Sequence, residues 1–61
     1  MRYNELYKLL RKVGCEIKRH GANHDIWQNT NNGKFTTVPR HSNEEVKIGT
    51  LKSIYKGLGI S

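Results

Sequence analysis

The chain has 61 residues, a formal net charge of +6 and one cysteine. This length predicts a single domain, residues 1–61, with a small core, and a single cysteine excludes an internal disulfide. No apolar run is long enough to span a membrane, and the first residues lack the apolar segment of a signal peptide. We therefore expect a cytoplasmic protein without contact to a membrane.

The charge balance points to a polyanionic partner. Eleven lysines and arginines face five acidic residues. Neutralising phosphates with such cations releases condensed counterions, which favours association with nucleic acid. A basic composition that serves only solubility is the alternative.

The first predicted element is an amphipathic helix. Its apolar positions recur at helical spacing and its charged positions lie on the other side. Gly14 is placed to end the helix in a left-handed conformation. The apolar positions are Tyr3, Leu6, Tyr7, Leu10 and Val13.

Three strands are expected next. Alternating apolar and polar residues predict the first, with Cys15 and Ile17 facing a core. Gly21 to Asn23 can turn the chain, and the Asn32-Gly33 pair is a strong hairpin signal. The predicted strands are 15–20, 24–29 and 35–38, the last ending before Pro39.

The orientation of the second strand is ambiguous, because Ile26 and Trp27 are adjacent and must point to opposite faces. On an open face Trp27 could stack on a base, whereas on the other face it would join the core.

A second amphipathic helix is expected at the end of the chain, with Thr50 near its start, after a turn or short helical piece around Ser42 and Glu45. The order helix–strand–strand–strand–helix predicts an α+β fold, a three-stranded antiparallel sheet with both helices on one face. Double-stranded-RNA-binding domains share this order. The apolar stripe of the second helix comprises Ile48, Leu51, Ile54, Tyr55 and Leu58.

Metal and thiol chemistry are disfavoured. His20 and His24 are four residues apart, but the glycine turn between them removes the helical geometry of a zinc pair. The carboxylates are scattered, which disfavours two-metal chemistry. Cys15 is expected to be buried and inert. We expect neither a metal nor a cofactor.

Histidine and cations are the chemistry that is left. RNA supplies its own nucleophile, the 2′-hydroxyl, so cleavage without metal needs a base, an acid and cations for the phosphorane charge. A histidine suits either proton role near neutral pH. On residue type alone, His20, His24 and His41 could equally be surface or hairpin residues.

Three segments together give a resemblance: "GANHDIW" (21–27), "VPRH" (38–41) and "GTLKSIYKGLGIS" (49–61). With them the chain resembles the HicA toxins of bacterial toxin–antitoxin systems. The resemblance implies a double-stranded-RNA-binding-like fold and an mRNA interferase that cleaves RNA to stop translation. It also implies a HicB antitoxin as partner, with operator DNA bound only through the toxin–antitoxin complex.

The resemblance also implies site residues. The family's catalytic histidine maps onto His24, which leaves Gly21, Ala22 and Asn23 as the active-site turn. Ala22 departs from the family's usual serine. His41 matches a family position after the third strand and is a candidate for the second proton transfer.

The cations near the hairpin ends are the candidates for RNA phosphates: Lys18, Arg19, Lys34 and Arg40. Two alternatives stay open. The domain could be a non-catalytic RNA-binding module that blocks translation by occupancy. It could also be mainly half of a protein–protein complex, with Tyr3, Tyr7, Trp27 and Tyr55 as anchors.

Overall fold

The chain folds in the predicted order of helix, three strands and helix. A computed structural model describes residues 1–60. No helix within those residues is both long enough and apolar enough to cross a lipid bilayer. The elements are α1 (Tyr3–Lys12), β1 (Cys15–His20), β2 (His24–Asn29), β3 (Phe35–Pro39) and α2 (Ile48–Leu58).

The three strands form one antiparallel sheet in the order β1-β2-β3. The β1–β2 register slips between Ile17 and Arg19, where β1 carries a bulge. Side chains from both helices share a single buried cluster with one face of the sheet. This is the α+β architecture of double-stranded-RNA-binding domains, as predicted, and it leaves the other face of the sheet open.

The orientation of β2 is settled by Trp27, which is 1% exposed. Its ring stacks on Tyr7 with centroids 5.8 Å apart, and the Arg11 guanidinium carbon lies 5.0 Å from the ring centroid. Trp27 is therefore a core residue, and it does not offer its ring to a base. Tyr3 is buried in the same core, so it is not available as an exposed anchor for a partner either.

The segment between β3 and α2 is a turn, not a helix. It is held to the start of the chain by a β-bridge between Arg2 and Glu45. Val46 is buried there and extends the core. Ile48 begins α2 as expected but is 72% exposed, because the helix turns its first residue away from the sheet.

Asparagines of the second hairpin fix the end of α2. Asn29 and Asn32 each donate from Nδ2 to the Leu58 carbonyl, at 2.9 and 3.1 Å. These bonds satisfy a helix-end carbonyl that has no partner within the helix. The Asn32-Gly33 hairpin forms as predicted, although only Gly33 has a positive φ, of 76°.

The close approach of α2 to β3 requires glycine at position 57. A Cβ there would lie 2.7 Å from both Cβ and Oγ1 of Thr36. Thr36 Cβ is fixed by the strand backbone and cannot swing away. We therefore expect Gly57→Ala to lower the free energy of unfolding by about 1–3 kcal/mol, as overpacking does, in urea denaturation.

Gly49→Ala is the matched control in the same helix, because nothing lies within 4 Å of its Cβ position. It should be neutral or stabilising by up to about 1 kcal/mol, the helix-propensity gain of alanine over glycine. Equal effects of the two substitutions would show that packing against Thr36 does not matter.

Candidate active site

His24 lies at one end of the sheet, as the first residue of β2 and opposite Pro39 of β3. Side chains alternate along a strand, and Asp25 and Trp27 are buried toward the helices. His24 and Ile26 therefore belong to the opposite side of β2. The exposed imidazole is free to meet a substrate.

The turn before His24 is tight. The Gly21 amide donates to the His24 carbonyl at 2.8 Å. A Cβ on Gly21 would lie 2.5 Å from that same carbonyl oxygen, so only glycine fits. Ala22 and Asn23 complete the turn and are exposed, and the Asn23 carbonyl accepts a hydrogen bond from the Arg40 amide at 3.1 Å.

A buried carboxylate clamps this turn. Asp25 Oδ1 lies 3.2 Å from Arg40 Nη2 and 3.0 Å from His20 Nδ1. The Arg40 guanidinium also donates to the Gly21 carbonyl. Charge-assisted hydrogen bonds of this kind are stronger than neutral ones. Asp25 thus ties the end of β1, the turn and the end of β3 together immediately beside His24.

His24 is one of the residues that line a cleft of about 350 Å³ at the edge strand β3, beside the first turns of α2. The first backbone amides of α2 have no partner within the helix, and the helix dipole makes this end positive. Thr50 and Ser53 bring hydroxyl groups to the same cleft. Its lining residues are His24, Thr36, Thr37, Pro39, Gly49, Thr50, Ser53 and Ile54.

The chemistry of the cleft suits a phosphodiester. Helix amides and hydroxyl groups donate to phosphate oxygens, and no acidic residue lies in the first turn of α2 to repel them. A histidine that lines the same cleft can take or give a proton. The empty space at Gly49 leaves the helix backbone open to an approaching group.

The predicted phosphate-binding cations lie in three different places. Lys18 and Arg19 line a second depression on the open face of the sheet. Arg40 is engaged by Asp25 next to the turn. Lys34 lies at the far end of the β2–β3 hairpin, beside Gly59. Only the first three therefore lie on or beside the part of the sheet that carries His24.

His41 lies against α1. Its ring meets Tyr3 edge-on with centroids 6.1 Å apart, and its Nδ1 is 3.6 Å from Glu44 Oε2. Tyr7 Oη donates to the Pro39 carbonyl at 2.5 Å and accepts from the His41 amide at 3.1 Å. Burial raises the pKa of Tyr7, which keeps this hydroxyl protonated as a donor. These contacts fix the chain after β3.

Cys15 is buried, as expected, and burial raises the pKa of its thiol, which disfavours the reactive thiolate. Within residues 1–60, no three histidine, cysteine, aspartate or glutamate side chains come together in a group that could hold a metal ion.

Sequence reasoning missed the contribution of α2 to the cleft. Thr50 was recognised only as a residue near a helix start, and Ser53 was not connected with His24. The available signal was a Gly-Thr pair opening a helix without an acidic residue. No local sequence pattern could predict that this helix end and His24 line the same cleft.

The fold and the cleft define a class: a small basic domain of the double-stranded-RNA-binding type that carries a histidine and the amino end of a helix in one cleft. The family model described as "HicA toxin of bacterial toxin-antitoxin" matches residues 3–60. The probable mRNA interferase HicA of Pseudomonas fluorescens (strain Pf0-1) is 35% identical over 60 residues, 98% of this chain and 97% of that protein. No solved structure shows significant similarity. The chain belongs to the HicA toxin family, which confirms the resemblance.

The Asp25 clamp generates a prediction. Asp25→Asn keeps the shape of the side chain and removes its charge. We expect the free energy of unfolding to fall by about 1 kcal/mol, since both partners of Asp25 are partly exposed and screened by water. The Gly21 amide should also exchange its hydrogen faster, because the turn loses its clamp.

The matched control is Glu16→Gln, the same chemical change on an exposed strand carboxylate. It should alter neither stability nor exchange at Gly21. Slow exchange at Gly21 in Asp25→Asn would show that the turn holds without the buried charge.

Proposed function

We propose that this chain is a toxin that cleaves mRNA without a metal and thereby inhibits translation, with His24 as its general acid or base. The observation that carries the proposal is the cleft, whose lining includes both His24 and the first turn of α2 in a space open to a phosphodiester. The name of the Pseudomonas relative, a probable mRNA interferase, supports the same reaction class.

The reaction uses the RNA's own 2′-hydroxyl as the nucleophile. Its oxygen forms a bond to phosphorus while the bond from phosphorus to the 5′-oxygen breaks. The products are a 2′,3′-cyclic phosphate and a 5′-hydroxyl. One proton leaves the 2′-oxygen and one is delivered to the 5′-oxygen, and His24 carries out one of these transfers.

The α2 end serves the charge that develops on the phosphate. Backbone amides at Gly49 and Thr50 are fixed donors that need no reorganisation during the reaction. The Thr50 and Ser53 hydroxyls add donors one helical turn apart on the same wall. The Asp25 clamp holds the turn, and with it His24, at the rim of this cleft.

His41 is assigned a structural role in this proposal. Its ring contacts Tyr3 and Glu44, and its amide donates to Tyr7. These contacts hold the chain that follows β3 in place. The second proton transfer is left to water held by the hydroxyl groups of the cleft.

The proposed partners follow from the family and the charge. The net charge of +6 attracts an RNA substrate, which is found in the cytoplasm. A HicB-type antitoxin would neutralise the toxin, and operator DNA would be bound only through their complex.

The test is cleavage of a labelled single-stranded RNA in EDTA. His24→Ala should cut about 10²–10⁴-fold more slowly than wild type, because positioned proton transfer contributes about that much. Circular dichroism should show an unchanged fold, since the side chain is exposed.

His41→Ala is the matched control, a second exposed histidine outside the cleft, and it should retain most of the activity. Equal loss in both variants would contradict the structural role of His41 and the assignment of proton transfer to His24 alone. If no variant cuts, yet wild type and His24→Ala bind RNA and block cell-free translation equally, the chain acts by occupancy instead.

A further inference from the structure

The open face of the sheet carries a second depression, separate from the cleft. Its volume is about 210 Å³, and it is lined by Lys18, Arg19, Ile26 and Phe35. Phe35 is 59% exposed. The Lys18 ammonium lies 5.1 Å from the centroid of the Phe35 ring. The exposed aromatic ring of the sheet is thus Phe35, whereas Trp27 is buried in the core.

We propose that this depression is a nucleobase subsite, in which a base of single-stranded RNA stacks on Phe35 while Lys18 and Arg19 hold the neighbouring phosphates. The identification of the ligand as RNA rests on the proposed function. The subsite would extend the path of the substrate from the cleft along the open face.

The chemistry of the depression fits a nucleotide. An exposed aromatic ring beside basic side chains combines a stacking platform with phosphate-binding charges, as in proteins that bind single-stranded nucleic acid. The Lys18 ammonium now covers the ring as a cation–π contact. Because it sits on a flexible stem, it can move to a phosphate when a base takes its place on the ring.

The register of the sheet gives continuity with His24. His24 pairs with Pro39, and Gln28 pairs with Phe35, so the two sites are separated by four residues along β2. At strand spacing this is about 13 Å, a distance that a few nucleotides of an extended strand can span. Ile26 lies between them on the same side of β2.

The charges around the depression favour a polyanion. Lys18 and Arg19 contribute two cations. Glu16, which pairs with Gln28 in the register, is the one acidic residue of β1 and lies beside them. An uncharged or basic peptide would gain little from this arrangement, whereas an RNA backbone gains two phosphate contacts.

The test is binding of a fluorescein-labelled single-stranded RNA, measured by fluorescence anisotropy in the His24→Ala background so that cleavage is slow compared with the measurement. Adding Phe35→Ala should weaken binding about 5- to 150-fold, the loss of one base–aromatic stack. Phe35→Tyr should bind like its parent. The slope of affinity against salt should not change, because phenylalanine contributes no charge.

Val13→Ala is the matched control, an exposed apolar side chain at the end of α1. It should leave RNA affinity unchanged. A second probe is the same RNA with its bases removed at successive positions. If Phe35 stacks on a base, one abasic position should remove the difference between Phe35→Ala and its parent.

Each other outcome has a defined meaning. RNA affinity equal in Phe35→Ala and Val13→Ala overturns the subsite. Loss of antitoxin binding without loss of RNA binding also overturns it and makes Phe35 a protein contact. If Phe35 matters for RNA binding but wild type does not cut RNA, the subsite stands and the proposed chemistry fails.

Discussion

The burial of Trp27 determines how the rest of this small domain is arranged. Its ring fills the space between the sheet and α1, stacked on Tyr7 and covered by Arg11. Because side chains alternate along a strand, this one placement fixes the direction of every other side chain on β2. A shift of one residue in β2 would bury His24 and expose Trp27. The position of the candidate catalytic group is therefore a consequence of core packing.

The same alternation buries two polar side chains of β2, and each of them links neighbouring elements through hydrogen bonds. Asp25 is desolvated and is stabilised by Arg40 and His20, which closes the turn before His24. Asn29 is buried at the other end of the strand and binds the Leu58 carbonyl. Buried polar groups need such partners, since an unsatisfied one is costly. One strand thus secures both the turn before His24 and the end of α2.

Local sequence signals were sufficient for the elements but not for the site. Helical spacing in α1, the turn at Gly21 and the Asn32-Gly33 hairpin all depend on neighbouring residues, and all were predicted. The sequence does not determine which of Ile26 and Trp27 points into the core, because both are apolar and either could be buried. The spacing predicts Ile48 as part of the apolar stripe of α2, but Ile48 is exposed at the start of the helix.

The cleft and the open-face depression depend on contacts between distant parts of the chain. Thr50 and His24 line the same cleft only because β3 and α2 pack together, with Gly57 against Thr36. Phe35 is the first residue after the turn of the second hairpin, and its local sequence is that of an ordinary apolar strand residue. Only the sheet register shows that its ring faces away from the helices and stays in water. Such contacts have no local periodicity from which to predict them.

A domain of this size can support catalysis only if the chemistry asks for few side chains. Its core is small, and each buried charge requires partners that the chain must also supply. In the proposed reaction the nucleophile comes with the RNA, and the donors for the phosphate are largely helix backbone. The protein then has to add one positioned histidine and a rigid turn to carry it. If that proposal holds, the residues that hold the turn before His24, Gly21, Asp25 and Arg40, support the reaction by positioning the imidazole. Phosphate-binding cations can be spread over the surface, because charge acts over longer distances than proton transfer.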